Sequence, residues 1–116
     1  MPEFTEVFQV EEIENGQMRS VPVRNKNVLI AKVDNQIFAA SDICPHLKGR
    51  LSRGTLEGTI VTCPRHGSRF DLRDGHVVRW TDWSGFILAA SKVLKTPRSL
   101  ETYRVKVDQG KIMVEV

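Results

Sequence analysis

The sequence lacks the features that define several large protein classes. None of its apolar runs approaches the roughly 20 residues of a membrane-spanning helix, and its polar, acidic first residues do not resemble a signal peptide. It has no acid–base pair of carboxylates, no Ser/His/Asp set and no glycine-rich phosphate loop. A formal net charge of +3 is too small to indicate nucleic-acid binding. These absences argue against a membrane protein, a nucleic-acid-binding protein and an enzyme that transforms a substrate alone.

Cysteine is scarce, which makes the position of each cysteine informative. The 116 residues include two cysteines and three histidines. Both cysteines and two of the histidines fall in two short motifs, Cys44-Pro45-His46 and Cys63-Pro64-Arg65-His66-Gly67-Ser68. Cysteines alone would indicate one disulfide or two unreactive buried thiols. The histidines beside them indicate a metal site to which each motif supplies one thiolate and one imidazole.

The order of the ligands bears on which metal is bound. Zinc sites with two cysteines and two histidines usually show a Cys-Cys pair followed by a His-His pair. Here each motif mixes the two residue types. That arrangement suits a two-iron cluster in which both cysteines bind one iron and both histidines bind the other. A single zinc ion in the same four residues remains the alternative.

The two motifs resemble the cluster-binding loops of Rieske proteins. Residues 44–52 resemble the first loop and residues 63–71 the second, with 16 residues between His46 and Cys63. Asp74-Gly75 and the segment 103–107 resemble the turn and a closing strand of the same family. The resemblance implies a Rieske-type [2Fe-2S] cluster and the following metal ligands: Cys44, His46, Cys63 and His66.

The resemblance also implies roles for residues around the cluster. In high-potential members a serine hydroxyl donates to a bridging sulfide and a tyrosine hydroxyl to a cysteine sulfur; Ser68 and Phe70 occupy these positions. Gly67 would let backbone N–H groups approach sulfur. Gly49 and Arg65 stand where respiratory relatives have a disulfide, so the chain resembles the ferredoxin branch. Phe70 has no hydroxyl to donate, and the disulfide is missing. We therefore expect a reduction potential in the lower or middle part of the range of roughly −150 to +300 mV.

The pattern of apolar residues and turns predicts an all-β fold. It indicates a small β-sandwich or barrel, formed by a single domain over 1–116, with an inserted cluster-binding subdomain at about 42–79, and the resemblance implies that this fold is of the Rieske type. Apolar residues at helical spacing predict one short helix near 84–95. That segment either covers the core or forms a docking surface from Trp80, Trp83 and Phe86. Strands are expected over 5–10, 18–24, 27–33, 36–40, 55–56, 59–62, 69–72, 76–79, 101–107 and 111–116.

The resemblance implies an electron carrier rather than an enzyme. The leading hypothesis is a one-electron carrier between a flavoprotein reductase and a terminal oxygenase. The alternatives are a small electron-transfer subunit of a larger reductase, such as nitrite reductase, and a zinc-binding interaction module without redox activity. Respiratory and exported relatives carry a membrane anchor or a twin-arginine signal, and the sequence shows neither. We therefore expect a soluble, cytoplasmic monomer without membrane or nucleic-acid partners.

Two further features have more than one interpretation. His76 follows a turn and has no motif partner, so it is expected on the surface of a strand. Six basic residues in or beside the two motifs form either an ordinary solvated face or a positive collar around the redox centre. The basic collar comprises Lys48, Arg50, Arg53, Arg65, Arg69 and Arg73.

Overall fold

The computed structural model describes residues 3–45, 49–65, 67–80 and 98–116. The described residues form ten strands and two single-turn 3₁₀ helices, Val10–Glu12 and Leu51–Arg53. The strands are β1 (Phe4–Gln9), β2 (Met18–Val23), β3 (Lys26–Val33), β4 (Gln36–Ser41), β5 (Thr55–Glu57), β6 (Ile60–Thr62), β7 (Arg69–Asp71), β8 (Val77–Arg79), β9 (Thr102–Asp108) and β10 (Lys111–Glu115).

Six strands form one antiparallel sheet in the order β1-β10-β9-β4-β3-β2. The sheet curls so that its two edge strands approach each other. The Arg19 guanidinium of β2 lies 5.2 Å from the ring centroid of Phe8 in β1, a cation–π contact across the seam. Arg24 and Glu3 form an ion pair of 3.2 Å near the same seam. The result is a nearly closed, barrel-like sheet.

A tight turn sets the register of the central hairpin. Asp34 and Asn35 join β3 to β4 with φ angles of 49° and 64°. Two successive residues with positive φ give a turn whose twist matches that of the flanking strands, and Asp and Asn tolerate this conformation better than most residues. Val33 then pairs with Gln36, and the register continues to the pair Val28 and Ser41.

The other four strands form a smaller antiparallel sheet in the order β5-β6-β7-β8. It lies in the chain between β4 and β9 and consists of hairpins that join neighbouring strands. This position agrees with the predicted insertion of a subdomain at about 42–79. The bounds of that subdomain and of the single domain stay predictions.

Strand β3 separates two hydrophobic cores. Its residues Val28, Leu29, Ile30 and Ala31 are all fully buried. Because side chains alternate across a strand, Leu29 and Ala31 enter the core that contains both cysteines, whereas Val28 and Ile30 enter the other. Each large apolar side chain buried in this way stabilises the fold by about 1.5–3 kcal/mol. The smaller sheet thus packs against one face of β3.

The all-β prediction is confirmed, and the predicted strands coincide with observed ones to within two residues at their ends. The 3₁₀ helices were not predicted, because single turns have no periodic signal. The helix predicted near 84–95 lies outside the described residues. Within the described part of the chain, there is no helix with the length and apolar character to cross a membrane.

Candidate metal centre

Two loops with the same hydrogen-bonded closure carry the predicted ligands. The first follows β4, and the second connects β6 to β7. In the first loop the N–H of Cys44 donates to the carbonyl of Gly49 at 2.8 Å. In the second, the N–H of Cys63 donates to the carbonyl of Ser68, also at 2.8 Å. Each cysteine therefore begins a six-residue loop that returns to its own backbone.

Both cysteines lie at the inner end of their loops. Cys44 is 1% exposed and Cys63 is 3% exposed, and neither forms a disulfide. Both belong to the hydrophobic core that also contains Phe70 and Trp80. A cofactor bound to these sulfurs would therefore be sheltered from water on the protein side. His46 and His66 lie outside the described residues, so the histidine half of the predicted ligand set stays a prediction.

Gly49 marks the place where the two loops meet. A Cβ atom at this position would lie 2.7 Å from the Sγ of Cys63, closer than van der Waals contact allows. It would also lie 3.2 Å from the Cγ and Cδ atoms of Arg65, so the stem of that side chain packs on the first loop. The backbone of one loop thus approaches the cysteine sulfur of the other. A centre held jointly by both loops needs this close approach, and the residues therefore fit a [2Fe-2S] cluster.

Ser68 and Gly67 occupy the end of the second loop. The Ser68 hydroxyl is fully buried and donates to the backbone carbonyl of Trp80. A hydroxyl has one proton, so donation to a sulfide would require Ser68 to exchange this acceptor for another. Gly67 has φ of 69°, in the left-handed region that glycine adopts readily, and its N–H donates to the carbonyl of Cys63 at 3.1 Å. The roles of both residues toward the cluster stay predictions.

Arg79 contacts the second loop and was not singled out in the sequence. Its Nε–H donates to the carbonyl of Gly67 at 2.9 Å. Arg79 belongs to β8, the edge strand of the smaller sheet, so this bond anchors the loop tip to the sheet. The separation of 12 residues leaves no local sequence signal for the contact.

Asp42 anchors the first loop and was also missed. Its carboxylate is fully buried and accepts hydrogen bonds from the N–H of Ser52 at 2.7 Å and from the Ser52 hydroxyl at 2.9 Å. The Arg50 guanidinium approaches it to 3.7 Å. Its backbone carbonyl accepts from the N–H of Leu51 at 2.8 Å. We call this set of contacts the Asp42 clasp; it joins the residue before the loop to the residues after it.

A second buried carboxylate, Asp71, shapes the turn after β7. Arg73 donates to it from Nε at 3.1 Å and from an NH2 group at 2.6 Å, and the N–H of Arg73 donates at 2.9 Å. These bonds hold the pKa of Asp71 far below its ordinary value, although burial alone would raise it. The charge of Arg73 is therefore balanced locally.

The residues of the basic collar lie in different surroundings. Lys48 lies outside the described residues, and Arg73 is paired with Asp71. The Nε of Arg69 is buried and has no hydrogen-bond partner among the described residues. The other three arginines, Arg50, Arg53 and Arg65, line one groove together with Gly49 and Pro64. The collar is thus concentrated in this groove.

Two other expectations can be compared with the structure. His76 is exposed, as expected, but it precedes β8 and hydrogen-bonds Asp74 through Nδ1 at 2.6 Å. Trp80 is 3% exposed and packs in the cysteine-containing core, so it does not contribute to a docking surface. Trp83 and Phe86, the other members of that hypothetical surface, lie outside the described residues.

Comparisons with known proteins agree with the geometry. The model of the Rieske [2Fe-2S] domain family matches residues 3–104. The chain is 29% identical, over 109 residues, to the ferredoxin component of the naphthalene 1,2-dioxygenase/salicylate 5-hydroxylase systems of a Ralstonia species, covering 92% of this chain and 89% of that protein.

Solved structures show the same fold. The ferredoxin of carbazole 1,9a-dioxygenase from Nocardioides aromaticivorans IC177 superposes with a TM-score of 0.80 at 22% identity, covering 97% of this chain and 96% of that one. A chain from the complex of reduced oxygenase and oxidized ferredoxin in carbazole 1,9a-dioxygenase superposes with a TM-score of 0.77 at 26% identity. That match covers 95% of this chain and 99% of the other.

Proposed function

Because the chain belongs to the Rieske [2Fe-2S] domain family, we propose that it is a one-electron carrier that takes electrons from a flavoprotein reductase and passes them to a terminal oxygenase. The observation that carries the proposal is the pair of identically closed loops, each of which starts at a buried cysteine. Gly49 brings the backbone of one loop against the sulfur of the other. The loops therefore supply one shared site.

We propose that Cys44 and Cys63 hold one iron and that His46 and His66 hold the other. When bound, the cluster supplies reversible one-electron chemistry. Two ferric ions, two sulfides and two thiolates have no net charge, and neutral imidazoles add none. Since reduction then starts from a neutral centre, its potential is higher than that of a four-cysteine cluster, in the range of roughly −150 to +300 mV.

The class of acceptor is proposed from the relatives. The Ralstonia relative is named as a ferredoxin component of dioxygenase systems, and the carbazole 1,9a-dioxygenase structure contains a ferredoxin with its oxygenase. A ring-hydroxylating terminal oxygenase is accordingly the acceptor that we propose. We further propose that the transfer takes place in the cytoplasm. A flavoprotein that oxidises a reduced nicotinamide and such an oxygenase would both be available there.

The cluster assignment can be tested with the three histidines of the chain. Anaerobically purified protein should contain about two irons and two acid-labile sulfides per chain, as a [2Fe-2S] centre requires. His46→Ala and His66→Ala should each abolish the electron paramagnetic resonance signal of the reduced protein. His76→Ala is the matched control and should leave it intact, because His76 is exposed and bonded to Asp74. Stoichiometric zinc without iron would refute the assignment.

The carrier function needs a separate assay. Reduced protein should be reoxidised by a terminal oxygenase and reduced again by a flavoprotein reductase, both measured from the visible absorbance of the cluster in stopped flow. A cluster that forms correctly but exchanges no electrons with an oxygenase would contradict the proposed acceptor. It would leave the cluster assignment unaffected.

A further inference from the structure

We propose that the groove lined by Gly49, Arg50, Arg53, Pro64 and Arg65 is the docking site for an acidic surface of the terminal oxygenase. This inference deepens the proposed function and rests on it. The groove has a volume of about 310 Å³, and its described lining holds three arginines and no carboxylate. We call it the arginine groove.

The arginine groove concentrates basic side chains on a chain that is mildly basic overall. The sequence contains 17 basic and 14 acidic side chains, so its formal net charge is +3. Three of these basic side chains line one groove with no carboxylate in its described lining, and one of the three, Arg50, also faces the Asp42 carboxylate at 3.7 Å. Such an uneven distribution orients a protein during diffusional encounter and raises the association rate with an oppositely charged partner.

The arginine groove lies directly beside the proposed redox centre. Gly49 forms part of its lining and is also the residue whose Cβ would contact the Sγ of Cys63. Pro64 and Arg65 follow Cys63 in the second loop. A partner held here would contact both loops at once. Docking at this groove would therefore bring the partner's redox group close to the cluster.

The chemistry of the lining indicates carboxylates as the recognised groups. Guanidinium groups present forked donors that match carboxylates and remain charged at every physiological pH. Arg53 and Arg65 are exposed, whereas Arg50 has a side chain 40% exposed and also faces the buried Asp42. Arg53 and Arg65 are therefore accessible to a partner in solution.

Small redox probes test the local charge in the intact, cluster-containing protein. The reduced protein transfers one electron to ferricyanide, giving ferrocyanide, or to hexaammineruthenium(III), giving the ruthenium(II) complex. We expect oxidation by anionic ferricyanide to slow as salt rises, and oxidation by the cationic ruthenium complex to accelerate. Opposite salt effects of this kind need no variant and report the sign of the charge near the cluster.

Variants then distinguish the effect of the charges in the groove from the effect of the net charge of the protein. Arg53→Glu should slow oxidation by ferricyanide by roughly three- to tenfold at low salt and accelerate oxidation by the ruthenium complex. Arg65→Met should act in the same direction while retaining an unbranched stem to pack on Gly49. Arg104→Glu is the control: it lies exposed on β9 in the larger sheet and changes the net charge as much as Arg53→Glu. The spectrum of the cluster should be the same in all three variants.

The same proteins are then tested with the terminal oxygenase. Arg53→Glu and Arg65→Met should slow electron transfer to the oxygenase at low salt, and the difference from wild type should shrink at high salt. An equal effect of Arg104→Glu, or no effect of either groove variant, would overturn the docking site. Normal transfer to ferricyanide without transfer to any oxygenase, in wild type as well, would instead overturn the proposed function.

Discussion

Replacing Asp42 by alanine should destabilise the protein strongly and release the first cluster loop. The Asp42 carboxylate is fully buried and accepts two hydrogen bonds from Ser52, at 2.7 and 2.9 Å. The substitution removes both carboxylate oxygens, so the N–H and the hydroxyl of Ser52 lose their hydrogen-bond acceptors. It also removes the negative charge that faces Arg50 at 3.7 Å. The anchor lies two residues before Cys44, so its loss should affect the cluster as well as the fold.

The size of the effect follows from these contacts. A hydrogen bond to a charged group contributes about 1.5–3 kcal/mol, so two such bonds give about 3–6 kcal/mol. Removing the carboxylate also ends the cost of its burial, which offsets part of this sum. The Arg50 contact is long and its guanidinium is partly exposed, so it adds less than about 1 kcal/mol. We expect Asp42→Ala to lower the free energy of unfolding by about 3 kcal/mol.

Urea unfolding, followed by circular dichroism and by the visible absorbance of the cluster, measures this effect. Asp42→Asn retains one oxygen acceptor, so its free energy of unfolding should fall by about half as much. Asp108→Ala is the control, because Asp108 is an exposed carboxylate at the end of β9 and its loss should cost less than about 0.5 kcal/mol. If Asp42→Ala were no more destabilising than the control, the Asp42 clasp would not hold the loop.

Three further predictions follow from the site. If the Ser68 hydroxyl exchanges the Trp80 carbonyl for a sulfide of the bound cluster, and if that bond is about 1.4 kcal/mol stronger in the reduced state, Ser68→Ala should lower the reduction potential by about 60 mV. An unchanged potential in a redox titration would show that the Ser68 hydroxyl keeps donating to the Trp80 carbonyl. Gly49→Ala should accelerate cluster loss, measured as bleaching of the visible absorbance, because a Cβ would lie 2.7 Å from the Sγ of Cys63. Equal bleaching rates would show that the loops can separate at no cost. The pKa of Asp71 is depressed in the folded state, so its contribution to stability is full above the unfolded pKa of about 3.9 and is lost as pH falls. Asp71→Asn should therefore be less stable than wild type at pH 7, and the difference in unfolding free energy should narrow below about pH 4; a constant difference would contradict this linkage.

The strands could be predicted because their signals are local. Val28 to Ala31 form an apolar run, and the Asp34-Asn35 pair that follows β3 suits a two-residue turn. The alternation of apolar and polar residues and the residue types that favour turns both act over a few residues, so a single sequence shows them. The two motifs stand out in the sequence for a similar reason, although their ligand set stays a prediction. Each motif contains its own cysteine and histidine, and the spacing within a motif is short.

The anchors of the loops could not be predicted because their partners are distant in the chain. Asp42 bonds Ser52, and Arg79 bonds Gly67, across 10 and 12 residues. An aspartate or arginine next to a strand is common, and nothing nearby in the sequence shows that its partner is a loop backbone. The acceptor of Ser68 illustrates the same limit. The motif indicated a donor, but only the fold places the Trp80 carbonyl within its reach.

The loops must be held without a disulfide, and the structure shows how this is done. The chain has two cysteines, so a disulfide would consume both proposed ligands of one iron. In its place the Asp42 clasp closes the first loop. The second loop is connected to β8 by the bond from Arg79 and to Trp80, the residue after β8, by the bond from Ser68. The Arg65 stem packs on Gly49 and joins the two loops. Hydrogen bonds and packing are not affected by cellular reductants, whereas an exposed disulfide can be reduced. A carrier with these anchors would therefore keep the geometry of its loops in a reducing compartment, and wild-type protein should retain its cluster equally well with and without excess thiol.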